Sequence, residues 1–195
     1  MRRRTAIAAL LCASAEIIWR EGPSCAAELA PKQLAVMLLR ILAYDRNIKA
    51  RSNGKAAPIL VLYQEGNQAS ESVQSDVSNA LEDLASSVSV SGLRVQVITH
   101  SYSSSADLDA KVAATRPVAI FVCSGLNDSI SSLIAVARKR SVLTMTINTA
   151  YLKAGVSIGL SRGEDRISIL INLPAARAEG ADLDAALLRL AEVYR

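Results

Sequence analysis

Four strand-like runs recur along the chain at nearly regular intervals. Two of them, the first and the third, are short and continuously apolar, which is typical of parallel strands covered on both faces. The fourth is also strand-like. One alternates apolar and polar residues in its first half, as an edge strand with one wet face does. In chain order the runs are 58–63, 93–100, 117–123 and 142–147, and the second is the alternating one. The sequence therefore predicts a sheet built on these four strands.

The intervals between these runs carry apolar residues at helical spacing. After 117–123, Ile130, Leu133 and Ala137 recur every three or four residues, and Arg138–Arg140 closes the last turn. A strand, a helix and a strand in this order predict parallel strands with a right-handed crossover. A further helix before the first strand has its apolar stripe at Leu34, Met37, Leu38, Ile41 and Leu42. The fold class is therefore α/β, with an open, mostly parallel sheet of order about 2-1-3-4 and helices on both faces.

The C-terminal third departs from this rhythm. Two strand-like runs, 156–160 and 166–171, flank the turn-forming residues 161–165 and predict a β-hairpin. Two helices are predicted after it: Leu173–Ala178, ended by Gly180, and a last helix from Asp182 that carries Leu183, Leu187, Leu190 and Val193 on one face. Residues 46–55 and 149–155 are predicted to be connectors, and the basic charges of the first are predicted to be solvated.

The N-terminus predicts an export signal. Arg2–Arg4 is a basic region, Ala6–Cys12 is a short apolar region, and Ala13–Ala15 is a small-residue cleavage site, with a second such site ending at Ala26. The apolar region is far shorter than the roughly 20 residues that span a membrane. We therefore predict a secretory signal peptide over residues 1–26, cleaved after 15 or 26, a single domain over 27–195, and a periplasmic location.

Removal of the signal changes both the charge and the cysteine count. The formal net charge of +4 falls to +2 if cleavage follows Ala26, because the signal holds four basic and two acidic residues. So small a charge, in an exported protein, argues against a nucleic-acid partner. Cleavage after Ala26 leaves Cys123 alone, whereas cleavage after Ala15 also keeps Cys25. A disulfide between these two is not expected, since Cys123 lies in a predicted central strand.

The sequence contains no recognisable catalytic or metal-binding motif. His100 is the single histidine, and no paired spacing of His or Cys residues accompanies it. A nucleophile site would combine His100 with Cys123 or Ser124 and with Asp128, but the sequence around Ser124 lacks the G-x-S-x-G turn. The glycine-containing loops lack a phosphate-binding pattern. We therefore predict that the protein is not an enzyme and has no metal or cofactor.

The strand ends provide one candidate ligand site. In an open parallel sheet, ligands bind outside the carboxyl ends of the strands, where the strand order reverses. With order 2-1-3-4, this crevice lies between the first and third strands. The residues predicted to line it are Tyr63, Gln64, Glu65, Gly66, Ser124, Gly125, Asn148 and Tyr151. Such a crevice suits a small-molecule binding protein that serves a transporter or a receptor, which is one functional hypothesis.

The C-terminal part also carries a family resemblance. Its elements are Leu143-Thr144, Gly155-x-x-Ile158-x-Leu160, Arg166-Ile-x-x-x-Ile171-Asn172-Leu173-x-Ala175-Ala176 and Leu187-Leu188-x-Leu190-Ala191. This pattern resembles the ending of the YfiR/HmsC-like family of exported bacterial proteins, and a weaker match in the same order extends over Lys32–Asn148. The resemblance implies an α/β domain that pairs with inner-membrane diguanylate cyclases and represses them.

The resemblance supplies the second functional hypothesis. The chain would bind the periplasmic sensor domain of a membrane-bound diguanylate cyclase, or of another membrane sensor protein, and control cyclic-di-GMP signalling by contact alone. A small-molecule effector would act by changing that affinity. The residues predicted to be exposed for this contact are Ile158, Leu160, Arg162 and Arg166, and Leu34–Leu42 is a candidate homodimer interface. The paired cysteines of some family repressors are missing, so their redox control is not expected here.

Overall fold

The computed structural model describes residues 30–52, 54, 56–162 and 167–194. The predicted signal peptide, Cys25 and Arg166 lie outside the described residues. The helices are α1 (Pro31–Ala43), α2 (Ile48–Arg51), α3 (Gln68–Ala85), α4 (Ser105–Thr115), α5 (Ile130–Arg140), α6 (Thr149–Ala154), α7 (Leu173–Ala178) and α8 (Ala185–Leu190). The strands are β1 (Ala56–Tyr63), β2 (Ser89–Val90), β3 (Leu93–Ser101), β4 (Ala119–Val122), β5 (Leu143–Thr146), β6 (Ile158–Arg162), β7 (Ile167–Asn172) and β8 (Glu192–Tyr194).

All the strands join one mostly parallel sheet of order β2-β3-β1-β4-β5-β6-β7-β8. The four strands predicted from the sequence are β1, β3, β4 and β5, and they lie in the spatial order β3-β1-β4-β5. The sheet differs from the prediction in detail, because a two-residue antiparallel strand, β2, borders β3 and three further strands are continuous with β5. The predicted hairpin is confirmed as the antiparallel pair β6 and β7.

Helices cover both faces of the sheet, as predicted from the continuous apolar runs. Alternate residues of a strand point to opposite faces, and along β1 the residues Ile59 and Val61 join the core under α1 and α3. Leu60 and Leu62 join a second core cluster under α4, α5 and α6. Both faces of β1 are therefore dry, which is why its sequence shows no polar alternation.

Two segments in the C-terminal third differ from the sequence predictions. Residues 149–155, predicted to be a connector, contain α6, whose first turn is capped by the side chain of Asn148. The predicted last helix is shorter than expected: α8 begins at Ala185 and ends at Leu190. Val193, predicted to lie on that helix, is in β8, which pairs in parallel with β7. The apolar residues after Asp182 thus serve a helix and then a strand.

The predicted connector 46–55 contains α2 and a buried ion pair, so the prediction that its charges are solvated is wrong for Arg51. The Arg51 guanidinium pairs with Asp45, whose side chain is completely buried. Oδ1 of Asp45 also accepts hydrogen bonds from the backbone N–H groups of Asn47 and Asp182, each at 3.0 Å. This arrangement joins the end of α1 to the segment that precedes α8.

Candidate functional site

The loops after β1 and β4 meet at the carboxyl edge of the sheet, where the ligand crevice was predicted. They meet through Asn67 and Gly125, which has φ +93°. A Cβ atom added at Gly125 would lie 2.8 Å from Nδ2 of Asn67, so a larger residue would have to displace this side chain and would also strain the backbone. The structure thus brings together the two halves of the predicted crevice, and the Asn67 side chain lies between them.

Three backbone N–H groups of these loops already have partners within the protein. The N–H of Gln64 donates to Ser70 Oγ at 2.9 Å, and the N–H of Gly66 donates to Glu71 Oε1 at 2.8 Å. On the other side, the N–H of Leu126 donates to the hydroxyl of Tyr151 at 2.9 Å. These backbone donors are the groups that a bound anion would need. Ligand binding in the crevice stays a prediction.

The predicted crevice residues differ in exposure. Glu65 and Gly66 are exposed, whereas Tyr151 is buried. The Tyr151 hydroxyl accepts the hydrogen bond from Leu126 in the loop after β4. The remaining members are half-buried: Tyr63, Gln64, Ser124, Gly125 and Asn148. Oδ1 of Asn148 accepts from the N–H of Ala150 and so caps α6. Tyr151 and Asn148 therefore have structural roles that the sequence pattern did not indicate.

The His100 site is not the constellation considered from the sequence. His100 lies at the end of β3, and β1 separates that strand from β4 and the adjoining Cys123. Its acidic neighbour is Asp107 rather than Asp128, with Nε2 and Oδ2 2.9 Å apart but not aligned for a hydrogen bond. Burial raises the pKa of the Cys123 thiol to about 12, so this residue is a poor nucleophile. Within the described residues, metal-binding side chains do not gather in groups of three or more.

A buried carboxyl group that sequence reasoning missed lies where α7 meets the sheet. Glu179 is fully buried and accepts hydrogen bonds from the backbone N–H and the hydroxyl of Thr144, both at 2.7 Å, and from the hydroxyl of Ser157. Burial raises its pKa to about 7, although these hydrogen bonds and the nearby Arg138 act in the opposite direction. Glu179 therefore fastens the end of α7 to β5 and to the residue before β6.

The prediction that Ile158 and Leu160 are exposed for partner contact is wrong. Both are buried in the core on the α1 side of the sheet, because β6 lies between β5 and β7 and its alternate residues point into that core. Arg162, at the end of β6, is exposed. The fourth candidate, Arg166, lies outside the described residues.

The exposed apolar surface of this region lies instead beside α1, α8 and β8. Tyr44 is 39% exposed, Leu190 72% and Tyr194 47%. Among the described residues, the other large exposed hydrophobic side chain is Val88, next to β2 at the opposite edge of the sheet. We call Tyr44 and Leu190, which line the same groove beside α1, the C-terminal apolar surface. Tyr194 lies apart from them, with residues of α6. Exposed apolar surface marks sites of protein–protein contact.

A groove of about 540 Å³ adjoins this surface, and we call it the C-terminal groove. It lies between α1, β7 and the turn from α8 into β8. Its apolar lining is Met37, Ile41, Ile167, Ile169, Leu187, Leu190 and Ala191. Its polar lining is Arg40, Tyr44, Ser168, Arg189 and Glu192. The groove combines an apolar floor with two arginines and one glutamate at its rim.

Comparison with known proteins identifies the family. The model of the YfiR/HmsC-like family matches residues 32–192 of the chain, which includes α1, the whole sheet core and the start of β8. The chain belongs to the YfiR/HmsC-like family. The resemblance noted in the sequence is thereby confirmed. Proteins of the YfiR/HmsC-like family are periplasmic, non-catalytic regulators of membrane diguanylate cyclases.

Solved structures similar to this YfiR/HmsC-like chain share its fold. A conserved domain protein from Vibrio cholerae is 15% identical, with a TM-score of 0.61 over 86% of this chain and 61% of that one. A substrate-binding protein with adhesive properties from Clostridium difficile is 13% identical, with a TM-score of 0.59 over 84% and 59% of the two chains. The ABC domain from Streptococcus pneumoniae solved with L-Trp is 12% identical, with a TM-score of 0.55 over 79% and 62%.

At identities of 12–15%, these similarities show a shared fold and nothing further. The YfiR/HmsC-like chain spans about three-fifths of the length of the solved structures it matches. No curated protein matches its sequence. None of the helices within the described ranges combines the length and the apolar character needed to cross a membrane.

Proposed function

We propose that this chain is a periplasmic regulator that binds the sensor domain of an inner-membrane diguanylate cyclase and represses it through protein–protein contact. The export signal predicted at residues 1–26 delivers the remaining domain to that compartment. Family membership supports the general role, because the family regulates such cyclases. The contact surface and the partner are the new elements of the proposal.

The observation that carries the proposal is the C-terminal apolar surface. Two of the four large exposed hydrophobic side chains of the described residues, Tyr44 and Leu190, lie there, and Leu190 is the most exposed of the four at 72%. Fully burying a leucine side chain contributes about 1.5–3 kcal/mol, and exposed tyrosines are frequent binding hot spots. This surface therefore offers two apolar anchor side chains to a partner domain.

Repression by contact requires that the regulator bind one state of the cyclase more tightly than the other. A ligand that binds both states with equal affinity leaves their populations unchanged. A ligand that binds one state about ten thousandfold more tightly moves the ratio of the two states from 1:99 to 99:1. The proposed regulator thus acts as a ligand for the inactive arrangement of the sensor domain. No bond-making step is involved, and the buried, unreactive Cys123 thiol agrees with this.

The experiment compares Leu190→Asp with a matched control, Val88→Asp. Both replace an exposed hydrophobic side chain with a carboxylate, but only Leu190 belongs to the C-terminal apolar surface. Binding to the purified periplasmic domain of the cognate cyclase is measured by calorimetry, and cyclic-di-GMP is measured in cells that carry each variant. We expect Leu190→Asp to weaken binding ten- to a hundredfold, since each 1.4 kcal/mol is tenfold, and to raise cyclic-di-GMP. Equal binding by both variants and the wild-type protein would show that the C-terminal apolar surface does not contact the cyclase.

A further inference from the structure

The C-terminal groove runs along the backbone edge of β7. Its lining includes the three consecutive strand residues Ile167, Ser168 and Ile169. Consecutive side chains of a strand point to opposite faces of the sheet. A groove on one face would therefore contact only alternate residues. Contact with all three residues means that the groove follows the edge of the strand, where the main-chain groups are accessible.

Strand pairing leaves part of this edge without a neighbour. The N–H of Asn172 donates to the carbonyl of Ser157, toward β6, so main-chain groups at every second residue of β7 also point toward β6. The groups of the intervening residues, Ile167, Ile169 and Ile171, point to the other side. There β8 pairs only with Leu170–Asn172. Within the described ranges, the N–H and C=O of Ile167 and the N–H of Ile169 face outward with no strand opposite.

Unpaired strand edges recruit other strands. A row of free N–H and C=O groups is a template for an added strand, and proteins normally blunt such edges with charge, proline or a covering element. Here the edge is walled by apolar residues of α1 and α8, which suits the alternate side chains of an incoming strand. The groove therefore provides both main-chain pairing and apolar pockets.

The charges at the groove indicate what kind of segment fits. Arg40 and Arg189 line the rim, and Glu192 is the acidic member of the lining. Arg40 has no carboxylate partner among the described residues. A second copy of this chain would bring the same excess of arginines to the pairing, and like charges brought together across strands destabilise it. An acidic segment of a different protein avoids this repulsion.

We propose that the outer edge of β7 at Ile167–Ile169 accepts an extended, apolar and acidic segment of the partner as an added strand of the sheet. The proposal deepens the proposed function and rests on it, since the partner is taken to be the cyclase sensor domain. Main-chain hydrogen bonds supply the register of the added strand, and Arg40 and Arg189 select carboxylates on it.

The test compares Ile167→Pro with Ile167→Ala in binding the purified periplasmic domain of the cognate cyclase. Both variants lose the isoleucine side chain, but only proline removes the outward N–H, and an outward position on an edge strand tolerates proline. We expect Ile167→Pro to bind about tenfold more weakly than Ile167→Ala. Arg40→Glu together with Arg189→Glu is expected to weaken binding at least tenfold, with a smaller loss at high salt because salt screens exposed charges.

Hydrogen exchange supplies a readout that does not depend on the folding of a variant. The amides of Ile167 and Ile169 are expected to exchange fast in the protein alone and slowly in the complex with the sensor domain. Slow exchange already in the protein alone would mean that its own chain covers the edge, and the strand-addition proposal would be wrong. Unchanged fast exchange in a formed complex would also overturn it.

The outcomes separate the two proposals. If Leu190→Asp abolishes binding while Ile167→Pro and Ile167→Ala bind equally, the regulatory contact stands and strand addition is wrong. If the wild-type protein does not bind the sensor domain at all, both proposals fail. If Ile167→Pro only converts a dimer of this chain to a monomer, as measured by light scattering, the occupant is a second copy and the assignment to the partner is overturned.

Discussion

Replacing Glu179 by glutamine should remove most of the pH dependence of stability near neutral pH. Glu179 is fully buried, and its pKa is raised from 4.5 to about 7 in the folded protein. The folded state therefore binds this proton more tightly than the unfolded chain does. The associated stability is fully present below pH 4.5 and is lost as the pH rises through about 7.

The magnitude follows from the linkage between pKa and free energy. One pKa unit corresponds to about 1.4 kcal/mol, so a rise from 4.5 to about 7 corresponds to about 3 kcal/mol lost between pH 4.5 and pH 8. This is a large fraction of the 5–15 kcal/mol by which native proteins are typically stable. Glutamine has nearly the same shape as glutamate and no titration, so the Glu179→Gln variant should show no such loss.

The assay is urea unfolding of both proteins at pH 5, 6, 7 and 8. The quantity of interest is the change of the unfolding free energy with pH, rather than its value at one pH, because the amide cannot accept all the hydrogen bonds that the carboxylate does. Glu82→Gln, at an exposed position of α3, is the matched control and should retain the wild-type pH dependence. Equal slopes for wild type and Glu179→Gln would refute the reasoning.

Three further predictions concern other parts of the molecule. Asp45→Asn leaves the Arg51 guanidinium buried without its carboxylate and should lower the unfolding free energy by about 3–5 kcal/mol, measured by denaturant titration. Gly125→Ala should lower the unfolding free energy by about 1–3 kcal/mol, because Gly125 has φ +93° and the added Cβ would clash with Asn67. Adding Asn67→Ala to the same chain should relieve only the clash, so the losses of the two single variants should not add fully. Fully additive losses in the double variant would contradict this account. Intact-mass measurement of the exported protein should give a chain that begins at Glu16 or Ala27, and an uncleaved Met1 would exclude the signal.

The part of the fold in which strands and helices follow one another in turn was predictable, because strands buried on both faces lack the polar positions of a half-exposed strand. The runs that became β1 and β4 are continuous for that reason, and the helix spacing of α5 located the crossover. The short elements were not predictable in the same way. A helix of six residues such as α6, or a strand of three such as β8, spans too few positions for either periodicity to be distinguished.

The candidate sites were predictable only where they follow from topology. The meeting of the loops after β1 and β4 follows from the strand order, so the position of the crevice was predictable, although Asn67 between its halves was not. The alternation of Ile158 and Leu160 shows that they share one face of β6 but not whether that face is dry. Glu179 binds Thr144, which is 35 positions away, through contacts that exist only after the sheet and α7 have packed.

The joining of α1 to the segment before α8 bears on the order in which the chain folds. Asp45 and Asp182 are 137 positions apart, and neighbouring backbone bonds link Tyr44 with Asp184 and Arg46 with Asp182. Helix α1 therefore obtains these neighbours only after the residues as far as Asp184 have been synthesised. Contacts so distant in sequence form late and slow the completion of folding. The end of α1 and the segment around Asp182 thus form and open as one unit, so that local fraying of either one exposes the other.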